Sequence, residues 1–312
     1  MDVAIMIEGQ SGLTWEYLAQ IAQSVEQLGF AGLYRSDHFT DPAPPNQASL
    51  DAWVSLTWLA SHTSRIEFGP LVSPISFRDP VMLARSALAI DDLSHGRLQF
   101  GIGAGWQERE HAMFGYDLLE TPQRMARFRE ALELIALLLR GEQPVSFAGE
   151  FYQLREAQLL PRPRRPGGPP IVIGGNGPRY TLPLVARFAQ EWNAVFVSAK
   201  RLRELQAQLD ELIVAEGRAP GEVKRSLMTG LVLGRDQADL VARATSQGST
   251  PEQLRERGIV VGTADAVVEQ LHELAAAGAQ RVMLQWFGWD DLGELAAIAE
   301  AILPHFPAAR TE

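Results

Sequence analysis

The hydrophobic positions of this chain follow two alternating spacings. Short apolar runs such as 3–7 predict buried strands, because brief continuous apolar runs bounded by turn residues are typical of parallel sheets. Between these runs, as in 15–28, apolar residues recur every three or four positions, which predicts amphipathic helices. Strand and helix alternate about every 30 residues, and this repeat is the pattern of successive βαβ units on a parallel sheet.

Eight strands can be counted in this way, and helical sequence follows each of them. They cover 3–7, 32–34, 66–69, 96–103, 170–174, 193–196, 227–233 and 281–286, and the closing helix covers 291–303. Eight strands with eight helices predict an α/β fold of the TIM (β/α)8 barrel type. A doubly wound open sheet is the alternative, although it would not need so many units.

A longer segment, 104–169, interrupts the repeat between the fourth and fifth strands. It contains a long amphipathic helix over 125–139 and a hairpin over 145–154, with its turn at 148–150. The end of the segment is rich in proline and glycine, which predicts an exposed loop. We expect this insertion to belong to one domain that spans residues 1–312 and to form a lid over the mouth of the barrel.

The composition narrows the classes of partner. The chain has 312 residues, no cysteine and a net charge of −10. Disulfides, thiolate metal sites and thiol catalysis are therefore excluded, and a nucleic-acid partner is disfavoured. The sequence shows neither a basic leader region nor the run of about 20 apolar residues that a membrane span requires. We therefore expect no membrane segment and a cytoplasmic location.

The C-terminal ends of the strands carry the active site in a TIM barrel, and polar residues gather there in this sequence. His38, beside Asp37 after the second strand, is the best candidate for acid–base chemistry, because a histidine exchanges protons near neutral pH. A loop histidine held only by structural hydrogen bonds is the alternative. Glu110, on the helix that follows the fourth strand, could bind a ligand or form an ion pair.

Two other kinds of site are disfavoured by missing patterns. The six histidines are scattered and lack the spacing of metal ligands, so we expect no metal site. No GxSxG motif is present, which disfavours a serine hydrolase.

The fourth strand ends in a glycine-rich segment. Gly101, Gly103 and Gly105 stand at alternate positions before Trp106, which predicts a mouth where the backbone comes close to something flat or bulky. A dinucleotide fingerprint fails, because Trp106 occupies the position of its third glycine. A glycine-rich turn without a ligand is the alternative.

A second glycine-rich segment follows the fifth strand. Gly174, Gly175, Asn176 and Gly177 stand between this strand and a helix predicted to begin near Pro178. Backbone N–H groups at a helix N-terminus bind anions, so this arrangement favours a phosphate site over a plain turn. Arg179 would add a charged contact.

Together these motifs make the chain similar to the bacterial luciferase-like superfamily of flavin and deazaflavin oxidoreductases. The resemblance covers nearly the whole chain. It rests on SDHF at 36–39, the segments 69–84 and 91–110, FGY at 114–116, IVIGGNGPR at 171–179, EWN at 191–193, GTADAV at 262–267 and the strand at 277–285.

The resemblance implies a TIM barrel that holds a flavin or deazaflavin ring in its mouth and the phosphate after the fifth strand. His38 matches the family's active-site histidine, Asp37 matches the neighbour that helps to hold the cofactor, and Glu110 lies close to the cofactor edge. Leu71 and Val72 match a bulge behind the central ring that often contains a non-prolyl cis peptide. The other implied cofactor contacts are Ser73, Gly103, Gly105, Trp106, Gly174, Gly175, Asn176, Gly177 and Arg179.

The motif set is closest to the branch of the superfamily that uses coenzyme F-420, an 8-hydroxy-5-deazaflavin. This branch implies hydride transfer between the coenzyme and a small organic substrate, with His38 supplying or accepting the proton. An FMN-dependent monooxygenase, which receives reduced flavin from a separate reductase, is the alternative. A barrel that only binds a ligand is a third interpretation.

The resemblance is less informative about the substrate. Trp106 stands where the sugar-phosphate dehydrogenases of the F-420 branch have an acidic residue, so their substrate does not carry over to this chain. We expect the substrate to lie between Glu8, the insertion and the loop that begins at Trp286. The habit of the family also implies a homodimer.

Overall fold

The structure is a computed structural model that describes residues 1–307. Eight parallel strands close into a barrel, which confirms the predicted TIM-barrel class. In chain order the barrel strands are Asp2–Ile7, Gly32–Arg35, Glu67–Pro70, Phe100–Gly103, Ile171–Gly174, Glu191–Val195, Lys224–Leu233 and Arg281–Gln285.

Each barrel strand pairs with its neighbour in sequence, and the first strand pairs with the eighth. Between the third and fourth strands the barrel is closed at Phe68. Its N–H donates to the Arg97 carbonyl at 3.2 Å, and its own carbonyl accepts from the Gln99 N–H at 2.8 Å. The barrel therefore has no long unpaired edge at this seam.

Helices cover the outside of the barrel. They are Trp15–Leu28, Ala52–His62, Pro80–Leu93, Glu108–Phe114, Thr121–Arg140, Thr181–Phe188, Ala199–Ala215, Gln237–Ser246, Pro251–Glu256, Ala264–Ala276 and Leu292–Ile302. Several begin at a side-chain cap, as at Thr14, Asp51 and Asp79, where the side-chain oxygen accepts a backbone N–H of the first turn.

The long helix of the insertion does not form a lid. Thr121–Arg140 packs beside Pro80–Leu93 and Thr181–Phe188 in the outer layer, with Phe128 and Leu132 in the main hydrophobic core. It thus takes the place of the fourth outer helix, and its apolar face is buried against the barrel. Within the insertion, it is residues 105–107 that line the mouth.

A hairpin stands on this helix. Its strands are Val145–Ala148 and Gln153–Ala157, slightly offset from the predicted positions. Glu130 of the long helix accepts the N–H groups of Glu150, Phe151 and Tyr152 at 2.7–3.0 Å. One buried carboxylate therefore binds the turn of the hairpin to the barrel.

Two short strands are additional to the eight predicted ones. Ser73–Pro74 continues the third strand beyond a bulge and pairs with the fourth. Val260–Gly262 pairs with the end of the seventh strand, which at ten residues is longer than the predicted 227–233. Both are too short to give a periodic signal of their own.

The two ends of the barrel are separated by a packed interior. Ala4, Met6, Tyr34, Met228 and Met283 form a buried cluster inside the barrel, with Leu71 and Val195 packed against it. Because these side chains fill the interior, ligands can enter only at the C-terminal ends of the strands.

The N-terminal end is closed by a group of charged residues that we call the ionic base. It consists of Asp2, Glu67, Glu191, Lys224 and Arg281, each the first residue of a barrel strand. The buried Arg281 donates to Glu191 at 2.9 Å, to the Tyr34 hydroxyl at 2.7 Å and to Glu67, and Lys224 donates to Asp2 at 2.6 Å.

Candidate active site

A cavity of about 550 Å3 opens at the C-terminal ends of the barrel strands. Its walls are mostly apolar, which suits a flat organic ligand. Eight of the predicted site residues line it: Glu8, His38, Leu71, Val72, Gly105, Trp106, Gly174 and Gly175.

His38 and Glu110 meet at the wall of this cavity. Nδ1 of His38 lies 2.8 Å from Oε1 of Glu110, and the other carboxylate oxygen accepts the N–H of Phe39 at 2.9 Å. Glu110 is buried on the short helix Glu108–Phe114 and fixes both the imidazole and the backbone that follows it. With Nδ1 occupied, Nε2 is the ring nitrogen available to a ligand.

The surroundings of His38 favour its protonated form. Burial disfavours the charged imidazolium, but the hydrogen bond that the imidazole donates to Glu110 and the negative charges of Glu110 and Glu8 outweigh burial, so the pKa of His38 is raised above its ordinary value near 6.5. Trp106 meets the imidazole in an edge arrangement with ring centroids 5.5 Å apart. Trp106 is 60% exposed and stands at the rim of the cavity.

Asp37 lies behind His38 and does not line the cavity. Its carboxylate accepts from the Ser73 hydroxyl at 2.6 Å and from two nitrogens of Arg78 at 2.8 and 3.1 Å. Ser73 in turn accepts from the indole N–H of Trp53 at 2.9 Å. Asp37 and Ser73 are therefore placed to hold the second and third strand ends together beneath the cavity.

The glycines of the fourth strand serve protein packing. A Cβ on Gly103 would lie 2.5 Å from Cγ2 of Val72, and one on Gly101 would overlap the Pro70 carbonyl oxygen. The bulky group that these glycines accommodate is thus the bulge of the third strand, rather than a ligand. Gly103 lies beneath Val72, and it is Val72 that presents a surface to the cavity.

The bulge has the backbone that the resemblance implies. The Leu71–Val72 peptide bond is cis, and both residues line the cavity. Val72 also contacts Gly174 of the fifth strand, where a Cβ would lie 3.4 Å from Cγ1. The bulge therefore forms an apolar floor between the third, fourth and fifth strands.

The glycine loop after the fifth strand has a fixed shape. Gly175 adopts a positive φ of 121°, which favours glycine, and its N–H donates to the Asn193 carbonyl at 2.9 Å. The Asn176 side chain donates to the Val195 carbonyl at 2.7 Å and accepts the Val195 N–H at 3.0 Å. Among the described residues, the backbone N–H groups of Asn176 and Gly177 have no acceptor.

The following helix begins at Thr181, three residues later than predicted. Arg179 is exposed and packs over the ring of Tyr180, 5.0 Å from its centroid. The loop therefore offers two free N–H groups and a nearby guanidinium, which is a donor set suited to a phosphate.

Glu8 stands on the cavity wall between two amides. Gln285, the last residue of the eighth strand, donates to one carboxylate oxygen at 2.6 Å, and Gln10 donates to the other at 2.9 Å. Gln10 is fixed by the Ser36 hydroxyl at 2.6 Å. Both glutamines line the cavity, and their positions at strand ends were the only sequence signal for them.

Trp286 is separate from these residues. It is buried, and its indole N–H donates to Glu294 at 2.9 Å. It lines a smaller neighbouring cavity of about 270 Å3 and not the main one, whereas Phe287, the next residue, lines both. Of the two residues, it is therefore Phe287 that reaches the main cavity.

Residues 1–307 contain neither a candidate metal site nor a candidate membrane span. No group of three or more His, Asp or Glu side chains is placed to hold a metal ion. No described helix is both long enough and apolar enough to cross a bilayer.

The sequence of residues 2–256 matches the family described as luciferase-like monooxygenase. A protein from Amycolatopsis mediterranei named F-420-dependent glucose-6-phosphate dehydrogenase is 27% identical over 93% of this chain and 94% of its own length. A protein of the same name from Kineococcus radiotolerans is 32% identical over 71% of this chain and 65% of its own length.

Solved structures share the fold. An F-420-dependent secondary alcohol dehydrogenase, solved with an F-420–acetone adduct, superposes with a TM-score of 0.84 over 97% of this chain and 98% of its own. Its sequence identity to this chain is 18%, so the likeness is one of architecture.

Proposed function

The chain belongs to the luciferase-like monooxygenase family, and from this premise we propose that it is an oxidoreductase that depends on coenzyme F-420. In this proposal a hydride moves between the deazaflavin and a small organic substrate. The names of the relatives that match along most of the chain support the choice of coenzyme.

The residues of the cavity fit a deazaflavin. The apolar floor made by Leu71 and Val72 would lie against the ring, and the 174–177 loop would take the phosphate on the N–H groups of Asn176 and Gly177. Arg179 would add charge at that end. Asp37 and Ser73 act from behind the floor, because their side chains hold the strand ends in position.

The bound coenzyme would supply a carbon centre that accepts or donates a hydride. The protein must then donate or accept the proton that accompanies the hydride, and Nε2 of His38 is placed to do so. Glu110 orients the imidazole through Nδ1 and stabilises its charged form. The apolar walls exclude water from this proton.

The observation that carries this proposal is the His38–Glu110 pair at the wall of an apolar cavity. A structural histidine would have both ring nitrogens satisfied by protein. Here one nitrogen is anchored by a buried carboxylate, while the ring lines the cavity that would receive the substrate.

A fluorescence titration of the purified protein with coenzyme F-420 and with FMN, side by side, tests the proposal. Tight and selective binding of the deazaflavin is expected. Preference for FMN would contradict it and move the protein to the monooxygenases of the family, with a separate reductase as partner. Binding of neither would contradict both assignments.

The exposed surface near the mouth of the barrel bears on the oligomeric state of the protein. We propose a homodimer in the cytoplasm, and exposed apolar side chains at Trp106, Met113, Phe114 and Tyr116 are compatible with a contact between copies. Sedimentation of the purified protein at two concentrations gives the oligomeric state, and a concentration-independent monomer would contradict the dimer.

A further inference from the structure

The main cavity has an uneven charge. Among its lining residues are two carboxylates, Glu8 and Asp41, and one titratable imidazole, His38. None of the lining residues is a lysine or an arginine. A ligand that enters this cavity therefore meets negative charge without a permanent positive partner.

The arginines nearest to the cavity are already engaged. Arg78 is held by Asp37 and Asp51 at 2.8 and 2.9 Å. Arg109 donates to the Thr40 hydroxyl, to the Asp41 carbonyl at 2.7 Å and to Asn46. Arg35 is buried beneath Gly9 and donates to the Ser36 and Leu50 carbonyls at 2.9 Å.

Arg243, which lines the smaller neighbouring cavity, is likewise paired, with Asp239 and Glu294. Two further cations at this end of the barrel are exposed and lie outside the lining of the main cavity. Arg179 packs on Tyr180 beside the glycine loop, and Lys200 lies on the outer surface of the helix Ala199–Ala215. The first is committed to the phosphate loop of the proposed coenzyme site. Neither supplies a charge to the wall that faces His38.

The carboxylate of Glu8 is oriented by its neighbours and faces the cavity. Its two partners, Gln10 and Gln285, are neutral amides, so they orient the carboxylate without neutralising it. Each carboxylate oxygen can accept a second hydrogen bond. A hydroxyl or an ammonium group is the natural donor for these free positions.

We propose that the substrate bears a hydroxyl or amino group that binds Glu8 and carries no phosphate or carboxylate. This inference rests on the proposed hydride-transfer function and narrows its substrate class. It separates this chain from the sugar-phosphate activity in the names of its relatives, because a phosphate ester would be desolvated beside Glu8 and Asp41 with no lysine or arginine in the cavity lining to bind it.

A matched series of secondary alcohols tests the inference with the coenzyme-loaded enzyme. Propan-2-ol, 1-aminopropan-2-ol and lactate share one carbinol and differ in the charge of one substituent, and glucose with glucose 6-phosphate forms a second pair. We expect kcat/KM for the neutral or cationic member to exceed that for the anionic member by about tenfold or more, because like charges in a site are strongly disfavoured.

Where a pair shows no turnover, the same compounds are compared by the Kd obtained from the fluorescence of the bound coenzyme. Equal or better use of the anionic member would overturn the inference. Failure of every neutral and cationic member to react or bind at high millimolar concentration would also overturn it.

Two variants sharpen the test. Glu8→Gln keeps a side chain of the same size and removes the charge, so the discrimination between neutral and anionic members should fall about tenfold. Glu269→Gln, on the exposed face of the helix Ala264–Ala276, makes the same change in net charge and should leave the discrimination unchanged. Equal behaviour of the two variants would remove Glu8 from the recognition of the substrate.

The coenzyme titration separates the two possible failures. Protein that does not bind coenzyme F-420 contradicts the proposed function itself. Protein that binds it and still prefers phosphorylated or carboxylated substrates contradicts only the substrate class.

Discussion

The two ends of the barrel both bury carboxylates, but they balance them in different ways. At the ionic base, Glu67 and Glu191 face Arg281, and Asp2 faces Lys224. At the mouth, Glu110 faces His38 and Glu8 faces two amides. The base uses cations that never lose their charge, whereas the mouth uses a group that titrates and groups that are neutral.

The ion pairs of the base therefore contribute to stability, whereas the His38–Glu110 pair is suited to proton transfer. A permanent ion pair at the base holds the strand ends at any physiological pH, and it offers nothing to a reaction. A histidine against a buried carboxylate can gain or lose a proton while the rest of the site stays fixed. The titratable pair thus lies on the wall of the cavity, whereas the Arg281 network lies at the opposite end of the barrel.

The strongest test of this comparison is the loss of the adjustable charge. His38→Ala is expected to lower turnover by about 10²–10⁴-fold, the usual contribution of a general acid or base. Coenzyme affinity should change much less, because the floor and the glycine loop are untouched. Single-turnover kinetics and a coenzyme titration measure the two effects.

His62→Ala is the matched control for this variant. His62 is exposed on the helix Ala52–His62 and stacks on Trp58, far from the cavity lining. It should keep full turnover. Equal losses in turnover and coenzyme affinity for His38→Ala would instead assign His38 a structural role.

The loss of a fixed charge should act on stability. Arg281→Met leaves Glu191 buried without its cation, and removal of one partner of a buried pair costs about 3–5 kcal/mol. The free energy of unfolding in urea measures this cost. Coenzyme affinity of the folded protein should be unchanged, because the ionic base is at the opposite end of the barrel.

Arg235→Met is the comparison for Arg281. Arg235 is exposed and pairs with Asp239 one helical turn away, so its loss should change the free energy of unfolding far less than the loss of Arg281 does. Similar costs for the two variants would contradict the special role of the ionic base.

The two ends should also differ in their response to pH. Because folding raises the pKa of His38, the folded protein binds this proton more tightly than the unfolded chain. The stabilisation is complete below about pH 6.5 and is lost as the pH rises through the raised pKa of the folded state. In the ionic base, burial opposes the charge of Arg281, but its acidic neighbours hold the pKa of Arg281 above its ordinary value, so Arg281 stays charged in this window.

Glu110→Gln isolates that effect. Without the carboxylate the pKa of His38 should fall, so the decline of unfolding free energy above pH 6.5 should become smaller. Unfolding curves at several pH values and an NMR titration of the imidazole measure it. An unchanged pH profile would show that Glu110 does not control the proton of His38.

The smallest expected effect concerns the glycine loop. Gly175→Val places a branched side chain at a φ of 121°, so the loop should lose its shape and phosphate-bearing coenzyme should bind about tenfold more weakly. Binding of the deazaflavin without its phosphate should be retained. Gly248→Val is the control, because Gly248 also has a positive φ but lies in open space between two helices. If Gly175→Val weakened the binding of the coenzyme with and without phosphate equally, the loop would have no role in phosphate binding.

The fold was largely predictable from the sequence. The change between continuous apolar runs and helical spacing identified all eight barrel strands, since a buried parallel strand needs an unbroken apolar run. The insertion was harder to interpret. An amphipathic helix shows that it has an apolar face, but not which surface covers that face, and Thr121–Arg140 covers the barrel side rather than its mouth.

The candidate site was predictable where strand ends carry distinctive residues. His38, Glu8 and Gly175 were found from their positions after strands, and all three line the cavity. The partners of Asp37 and Ser73 were not found, because Arg78 and Trp53 reach them across gaps in sequence that no local spacing encodes. Trp286 and Phe287 both follow the eighth strand, and position alone did not show that Phe287 rather than Trp286 reaches the main cavity.

The contact between Val72 and the glycines that surround it has a consequence for evolution and engineering. Gly103 has room for hydrogen alone because Val72 lies against it, so any larger residue at Gly103 requires a smaller one at position 72. The positions therefore form an epistatic set. A library that aims to widen the mouth should vary Val72 first, because Val72→Ala creates the space that every later substitution at Gly103 would need.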